Sequence, residues 1–251
     1  MRIILLLLAA FAFAAVPARA ASGVCLSGGA DGLVPAEAGH CFALGEAVAL
    51  LAQPVADVDG APITLVFLNP ADPNDRKSAG DCKGYFSFIT RGWESESGAD
   101  DARIQRFDTA CGLRSMISLG HDPNESFLRA GDADLQDRAR IAADILPLFE
   151  GDEAGPVSYE VEPGETLSAF VDRGGATVLD AKVAPLEVRL WGGYANFREA
   201  ARGDFNGDRI EDMAVLVSAD PDGPLPPFSY VIGLTRLTPD GPLQRFPEDD
   251  Q

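Results

Sequence analysis

Gly203-Asp204-Phe205-Asn206-Gly207-Asp208-Arg209-Ile210-Glu211-Asp212 runs directly into Met213-Ala214-Val215-Leu216-Val217. The first ten residues set oxygen-bearing side chains at alternating positions in a turn-prone segment. The next five are apolar and partly β-branched, which suits a buried strand. A loop that opens straight into a strand places this part of the chain in β-structure. Its side chains suit a hard cation, because calcium takes about 6 to 8 oxygens at roughly 2.3 to 2.6 Å and is wrapped by loops with ligands at alternating positions. Asp204, Asn206 and Asp208 hold the first, third and fifth positions, the Ile210 carbonyl the seventh and Asp212 the ninth. Asp, Asn and Gly also build turns that bind nothing. A bare turn, however, does not require Asp212 at the strand entrance.

An EF-hand would need a bidentate Glu at the twelfth position and a helix on each side. That position is Val215, within the apolar run. The stretch 203–217 instead resembles the FG-GAP and VCBS type of calcium repeat, whose pattern is D-x-[DN]-x-D-G-x-x-D followed by a strand. The resemblance implies a structural calcium ion held by Asp204, Asn206, Asp208, Ile210 and Asp212. The chain departs from the pattern at Arg209, where the family has Gly. That Gly supports a left-handed backbone, so a Cβ there costs roughly 1 kcal/mol. The pattern occurs once, which argues against a propeller, since each blade would need its own copy.

Working outward, Met1 to Ala20 carries Arg2, an apolar run from Ile3 through Val16, and Ala18-Arg19-Ala20, the form of a secretory signal peptide cut before Ala21. No later stretch reaches the roughly 18 apolar residues of a membrane span. Ser22-Gly23-Val24 before Cys25 lacks the pattern of a bacterial lipoprotein signal. Cys25, Cys41, Cys82 and Cys111 remain after cleavage, and an even count in an exported chain reads as disulfides. Of three connectivities, Cys25 with Cys41 and Cys82 with Cys111 is favoured, because each closes a modest local loop. A zinc site is disfavoured: there is no C-x-x-C, and the histidines are His40 and His121 alone.

The charge is −19, with 39 acidic against 20 basic residues, and loss of Arg2 and Arg19 with the leader makes it more negative still. Nucleic acid is excluded as a partner, since phosphate binding needs a basic footprint. So much negative charge repels itself, and bound cations would relieve it. Lys77, Lys83 and Lys182 are the only lysines, a bias toward Arg expected of a GC-rich bacterial genome, and with the leader the chain reads as a bacterial periplasmic or secreted protein.

The expected fold class is α+β, in two parts. Residues Ala21 to Phe149 form an α/β-mixed, disulfide-bonded domain, Glu150 to Pro156 a junction, and Val157 to Gln251 a mainly antiparallel meander of five or six strands that carries the Asp-rich loop. In the first part, Ala43–Gln53 reads as a helix stopped by Pro54, Ile63–Leu68 as a strand, Asn69–Gly80 as a loop and Tyr85–Thr90 as a strand. Asp101–Leu119 reads as a helix with Ile104, Phe107 and Cys111 on its inner face, and Asp134–Leu148 as another. Asp132, Asp134 and Asp137 are expected to complement that second helix's dipole, a reading favoured over a second metal site. In the second part Val157–Val161, Ala176–Val183, Leu186–Trp191, Met213–Ser218 and Phe228–Leu237 read as strands, with Ala219–Pro227 a proline-rich excursion. Trp191, Tyr194, Phe197 and Phe205 are expected around the loop, as packing for the meander or as a contact surface.

These features point to an exported, non-enzymatic binding or envelope-associated module stabilised by calcium. An exported hydrolase is the alternative. Yet the chain has no G-x-S-x-G and no H-E-x-x-H, and His121-Asp122 and the pairs Glu94/Glu96 and Glu160/Glu162 are what an acidic chain holds by chance. A compact acidic inhibitor or immunity-like protein would fit the charge and nothing else.

Overall fold

The computed structural model describes residues 23–30, 32–96, 101–147, 149, 160–179 and 185–246. The leader Met1–Ala20 and the junction Glu150–Pro156 lie outside them. In chain order the elements are β1 (Val24–Leu26), β2 (Cys41–Phe42), α1 (Leu44–Ala49), β3 (Leu65–Asn69), β4 (Asp72–Ala79), α2 (Cys82–Ile89), β5 (Glu94–Ser95), α3 (Asp101–Leu119), α4 (Ala133–Gln136) and α5 (Leu167–Asp172). Then follow β6 (Ala176–Val178), β7 (Leu186–Leu190), β8 (Gly193–Gly203), β9 (Asp212–Pro221), β10 (Phe228–Thr235) and β11 (Gln244–Arg245). The fold is mixed α+β, with helices, antiparallel sheets and two disulfides.

Eight strands form the main sheet, in the order β11-β10-β9-β8-β1-β2, with β7 pairing both β6 and β8. β8 is its hub. β9 covers one edge of β8 from end to end, so the other edge is shared by β7, opposite Gly193 to Phe197, and β1, opposite Ala201 and Arg202. The register shifts between Glu199 and Ala201, and the carbonyl of the extra residue, Ala200, accepts from the Ser27 N–H at 2.8 Å. This bulge is the kind of device that re-aims a strand from one partner to the next.

Side chains of successive strand residues point to opposite faces. Met213, Val215 and Val217 of β9 therefore enter one buried cluster, with Phe197, Leu167, Phe170, Ile141 and Leu234. Ala214 enters the other, with Ala201, Phe107, Leu113, Ile117 and Phe67, and half-buried Leu216 packs against it. Helix α3 lies over this second face and is held there by polar clamps: Thr109 Oγ1 donates to the Ser229 carbonyl at 2.8 Å and the Ser229 N–H to Gln105 Oε1 at 3.2 Å. Two cores thus share one sheet, and residues from both sides of the Glu150–Pro156 junction contribute to each sheet face.

The disulfides are Cys25–Cys41, across the paired strands β1 and β2, and Cys82–Cys111, between α2 and α3. The helix expected at Asp101–Leu119 is α3 with the same bounds, and β3, β7, β9 and β10 fall within the strands expected there or overlap them.

Four expectations are corrected. Asn69–Gly80 is not a loop: Asp72–Ala79 is β4, an edge strand paired with β3, with the register shifted between Leu68 and Asn69. Tyr85–Thr90 is not a strand but most of α2, which Asp81 caps by accepting the Gly84 N–H at 2.7 Å while Cys82 and Tyr85 turn inward. Asp134–Leu148 is not one helix. After α4 only the single 3-10 turns Arg138–Arg140 and Ala143–Ile145 remain, separated where the Ala142 N–H donates to the Leu243 carbonyl and the Ala143 N–H to that of Glu165. Finally, Ala219–Pro227 is only partly an excursion, since β9 runs on through Pro221. Of Val157–Val161 only Glu160 and Val161 are described, and they are not in a strand; 180–184 also lie outside the described residues.

Candidate metal site

The loop 204–211 connects β8 to β9, closing where Gly203 faces Asp212. It is stitched by its backbone to the segment after α3. His121 and Asp204 exchange N–H···O bonds of 2.8 and 3.0 Å, the Asn124 N–H donates to the Arg209 carbonyl at 2.8 Å, and the Glu211 N–H to the Glu125 carbonyl at 2.8 Å. At Gly120 the absent Cβ leaves room for the Phe205 ring and for Val24, which would lie 3.0 and 2.5 Å from it. The loop is therefore fixed at its base by a neighbouring segment, not merely by its own turns.

Within the loop, each expected side-chain donor holds backbone. Asp204 is buried, and its two oxygens accept the N–H groups of Gly207 at 2.7 Å and Arg209 at 2.9 Å. Asn206 Oδ1 accepts from the Asp208 N–H, and its Nδ2 donates to Asp208 Oδ2. Asp208 Oδ1 accepts from the N–H of Ile210 at 2.7 Å, and Ile210 is bridged to Glu125 in the staple. Asn206 and Asp208 are exposed, Ile210 is half-buried, and Asp204 and Asp212 lie beneath.

Asp212 is the unusual member. It is fully buried, its Oδ2 accepts the Phe205 N–H at 2.9 Å, and its Oδ1 has no hydrogen-bond partner. Burial pushes its pKa up to about 7; the Thr235 hydroxyl and the Phe205 N–H pull it down, and the charges of Asp208 and Asp204 push it further up. The Thr235 hydroxyl stands near this carboxyl without completing a hydrogen bond to it. An orphaned carboxylate oxygen beneath two further carboxylates fits a hard cation, with oxygen donors only. Among the described residues no group of three or more His, Cys, Asp or Glu side chains is gathered around a common metal position. Asp204, Asp208 and Asp212 are thus not gathered around one point in this structure; each holds backbone N–H groups instead.

Arg209 has φ 70°, the left-handed conformation that glycine favours, and it is the only non-glycine with positive φ among the described residues.

The surroundings hold features that the sequence did not announce. Buried Glu199 and Glu211 flank Arg202, which donates to Glu199 at 2.7 and 2.8 Å and stands 3.8 Å from Glu211. Ser27 donates to Glu199 and Ser126 to Glu211. The acidic string at α4 is also part of an ion-pair system, not a complement to a helix dipole. Asp134, fully buried, pairs with Arg236 at 2.7 Å and with Arg129 at 3.2 Å, and Asp137 pairs with Arg129 and Arg140.

The expected aromatic cluster does not form around the loop. Phe205 packs there, but Phe197 is core, while Trp191 and Tyr194 are exposed at the opposite end of β8, about 30 Å away at strand rise. His121 is exposed, Glu96 pairs with Arg76, and Glu160 and Glu162 are exposed. Cys41, beside His40, is in the Cys25–Cys41 disulfide.

No protein-family model, curated protein or solved structure matches this chain.

Proposed function

We propose that 203–217 is a structural calcium site of the FG-GAP/VCBS type, in an exported, non-enzymatic protein that works as a binding or envelope-associated module. The single observation that carries the metal reading is the buried Asp212 carboxyl with an unpartnered oxygen under Asp204 and Asp208. In this reading Asp204, Asn206, Asp208, the Ile210 carbonyl and Asp212 hold the ion, which neutralises the carboxylates and locks the entrance of β9 to the 121–125 staple. The chemistry is that of a clip, with no reaction attached. Export rests on the leader-like Met1–Ala20 and on two disulfides, which belong to oxidising compartments. Among the described residues no helix is long and apolar enough to cross a membrane. The finer arrangement, a disulfide-bonded N-terminal part followed by a β-meander part, belongs to the same proposal, with the two parts joined through the shared sheet.

The test is calorimetric calcium titration of residues 21–251, with thermal melts in calcium and in chelator. Asp208→Asn is the control, since it keeps an acceptor for the Ile210 N–H and loses the charge. Saturable binding that stabilises by roughly 2.7 kcal/mol at one hundred times the dissociation constant, and that Asp208→Asn abolishes, is expected. Absence of both heat and melting shift in the wild type rejects the proposal.

A further inference from the structure

On the sheet face away from α3, a cavity of about 610 Å³ opens beside β7 and β10. Its walls are the rings of Phe149, Phe170, Phe228 and Tyr230, with Trp191 at the margin. Phe228 stacks on Tyr230 at 6.1 Å between centroids and meets Phe149 edge-on at 6.3 Å. Trp191 is 57% exposed at the cavity margin, so its ring is available to a molecule lying there. A concave, aromatic site of this size with few polar groups is the form of a small-molecule pocket.

The polar groups decide what it would take. Arg245 lines the cavity half-buried; its Nη2 donates to the Ile145 carbonyl at 3.3 Å, its Nε has no partner, and it forms no ion pair among the described residues. A partly desolvated guanidinium without a carboxylate is costly, and the more so in a chain with 39 acidic residues from which to choose one. Tyr230 stands beside it as a neutral hydroxyl, its pKa raised by burial against the pull of Arg245. Asp144, the acidic lining residue, is exposed. The interior of the pocket is thus apolar with one positive group.

We propose that this cavity binds an organic carboxylate with an apolar body, whose carboxylate pairs with Arg245 and whose body lies against the rings and under Trp191. The site is separate from the 203–217 loop and does not rest on the calcium reading. Charge-assisted hydrogen bonds are worth about 1.5 to 3 kcal/mol, or roughly 10- to 100-fold in affinity.

The test is calorimetric titration of the calcium-free and calcium-loaded chain with decanoate, decanol and decyltrimethylammonium, which share a tail and differ in charge. Decanoate is expected to saturate one site and to bind at least about tenfold tighter than the alcohol, with the cation weakest. In Arg245→Gln the preference for the anion over the alcohol should vanish. Trp191→Ala, on an exposed side chain that the fold does not need, should weaken both decanoate and decanol. Equal affinity for the three amphiphiles, no saturable decanoate binding, or unchanged decanoate affinity in Trp191→Ala overturns the proposal.

Discussion

Arg209 and Asp212 concentrate the physical chemistry of the loop. Arg209 already sits at φ 70° in the folded chain, so its left-handed cost falls on folding and not on metal affinity. Arg209→Gly should therefore raise stability by about 0.5 to 1 kcal/mol, less the entropy that Gly adds to the unfolded chain. Arg209→Asn, equally neutral, should gain less, and denaturant melts of the three proteins check the order. Asp212 has the opposite character. Its pKa is raised to about 7 from 3.8, chiefly by burial, so between those values the folded chain keeps a proton that the unfolded chain has released. The contribution of Asp212 to stability therefore falls as pH rises from about 4 to about 7. Calcium-free melts should show this decline, Asp212→Asn should flatten it, and calcium at pH 8 should restore the loss in the wild type alone. A decline that persists in Asp212→Asn would assign it to other groups.

Elements were legible where local pattern and tertiary context agree. The 3.6-residue spacing of Ile104, Phe107 and Cys111 marks α3, and the β-branched runs mark β9 and β10. Tyr85 to Thr90 misleads because its aromatic and β-branched residues favour a strand, whereas the Asp81 cap and the Cys82–Cys111 bridge commit it to α2. β8 carried no signal: Gly193, Ala195, Ala200, Ala201 and Gly203 are poor strand formers, and they are small because neighbouring layers approach them closely. The loop before β9 was readable from its turn formers, but the 121–125 staple and the Glu199–Arg202–Glu211 network join residues too far apart in sequence to leave a periodicity. The bridge gives a prediction at this scale. It closes a loop of 29 residues, so Cys82→Ala with Cys111→Ala should cost about 3.5 kcal/mol. Because α2 is short, that loss should first appear as faster amide exchange in 82–89. Uniform exchange across the chain would mean that the bridge does not act locally.

The whole molecule is organised by one sheet with a core on each face. β9 sends Ala214 into one cluster and Met213, Val215 and Val217 into the other, so neither core persists if that strand unpairs. The polar interior adds a second tie across the sequence, because Asp134 at α4 and Arg236 just beyond β10 are both buried, and separating them would leave an uncompensated charge. The first strand reinforces this, since β1 pairs with β8 some 170 residues later and the Cys25–Cys41 bridge holds β2 beside it. A shared strand couples the cores more strongly than the contact of two finished domains would, as interdomain surfaces are smaller and more polar. The chain should therefore unfold in one transition, with calorimetric and van't Hoff enthalpies equal. Because loop 204–211 opens into that same β9, calcium bound there as proposed should move this one transition upward without splitting it. Two resolved transitions, with calcium shifting only the later, would show instead that the N-terminal layer folds as an independent unit on a sheet that survives without it.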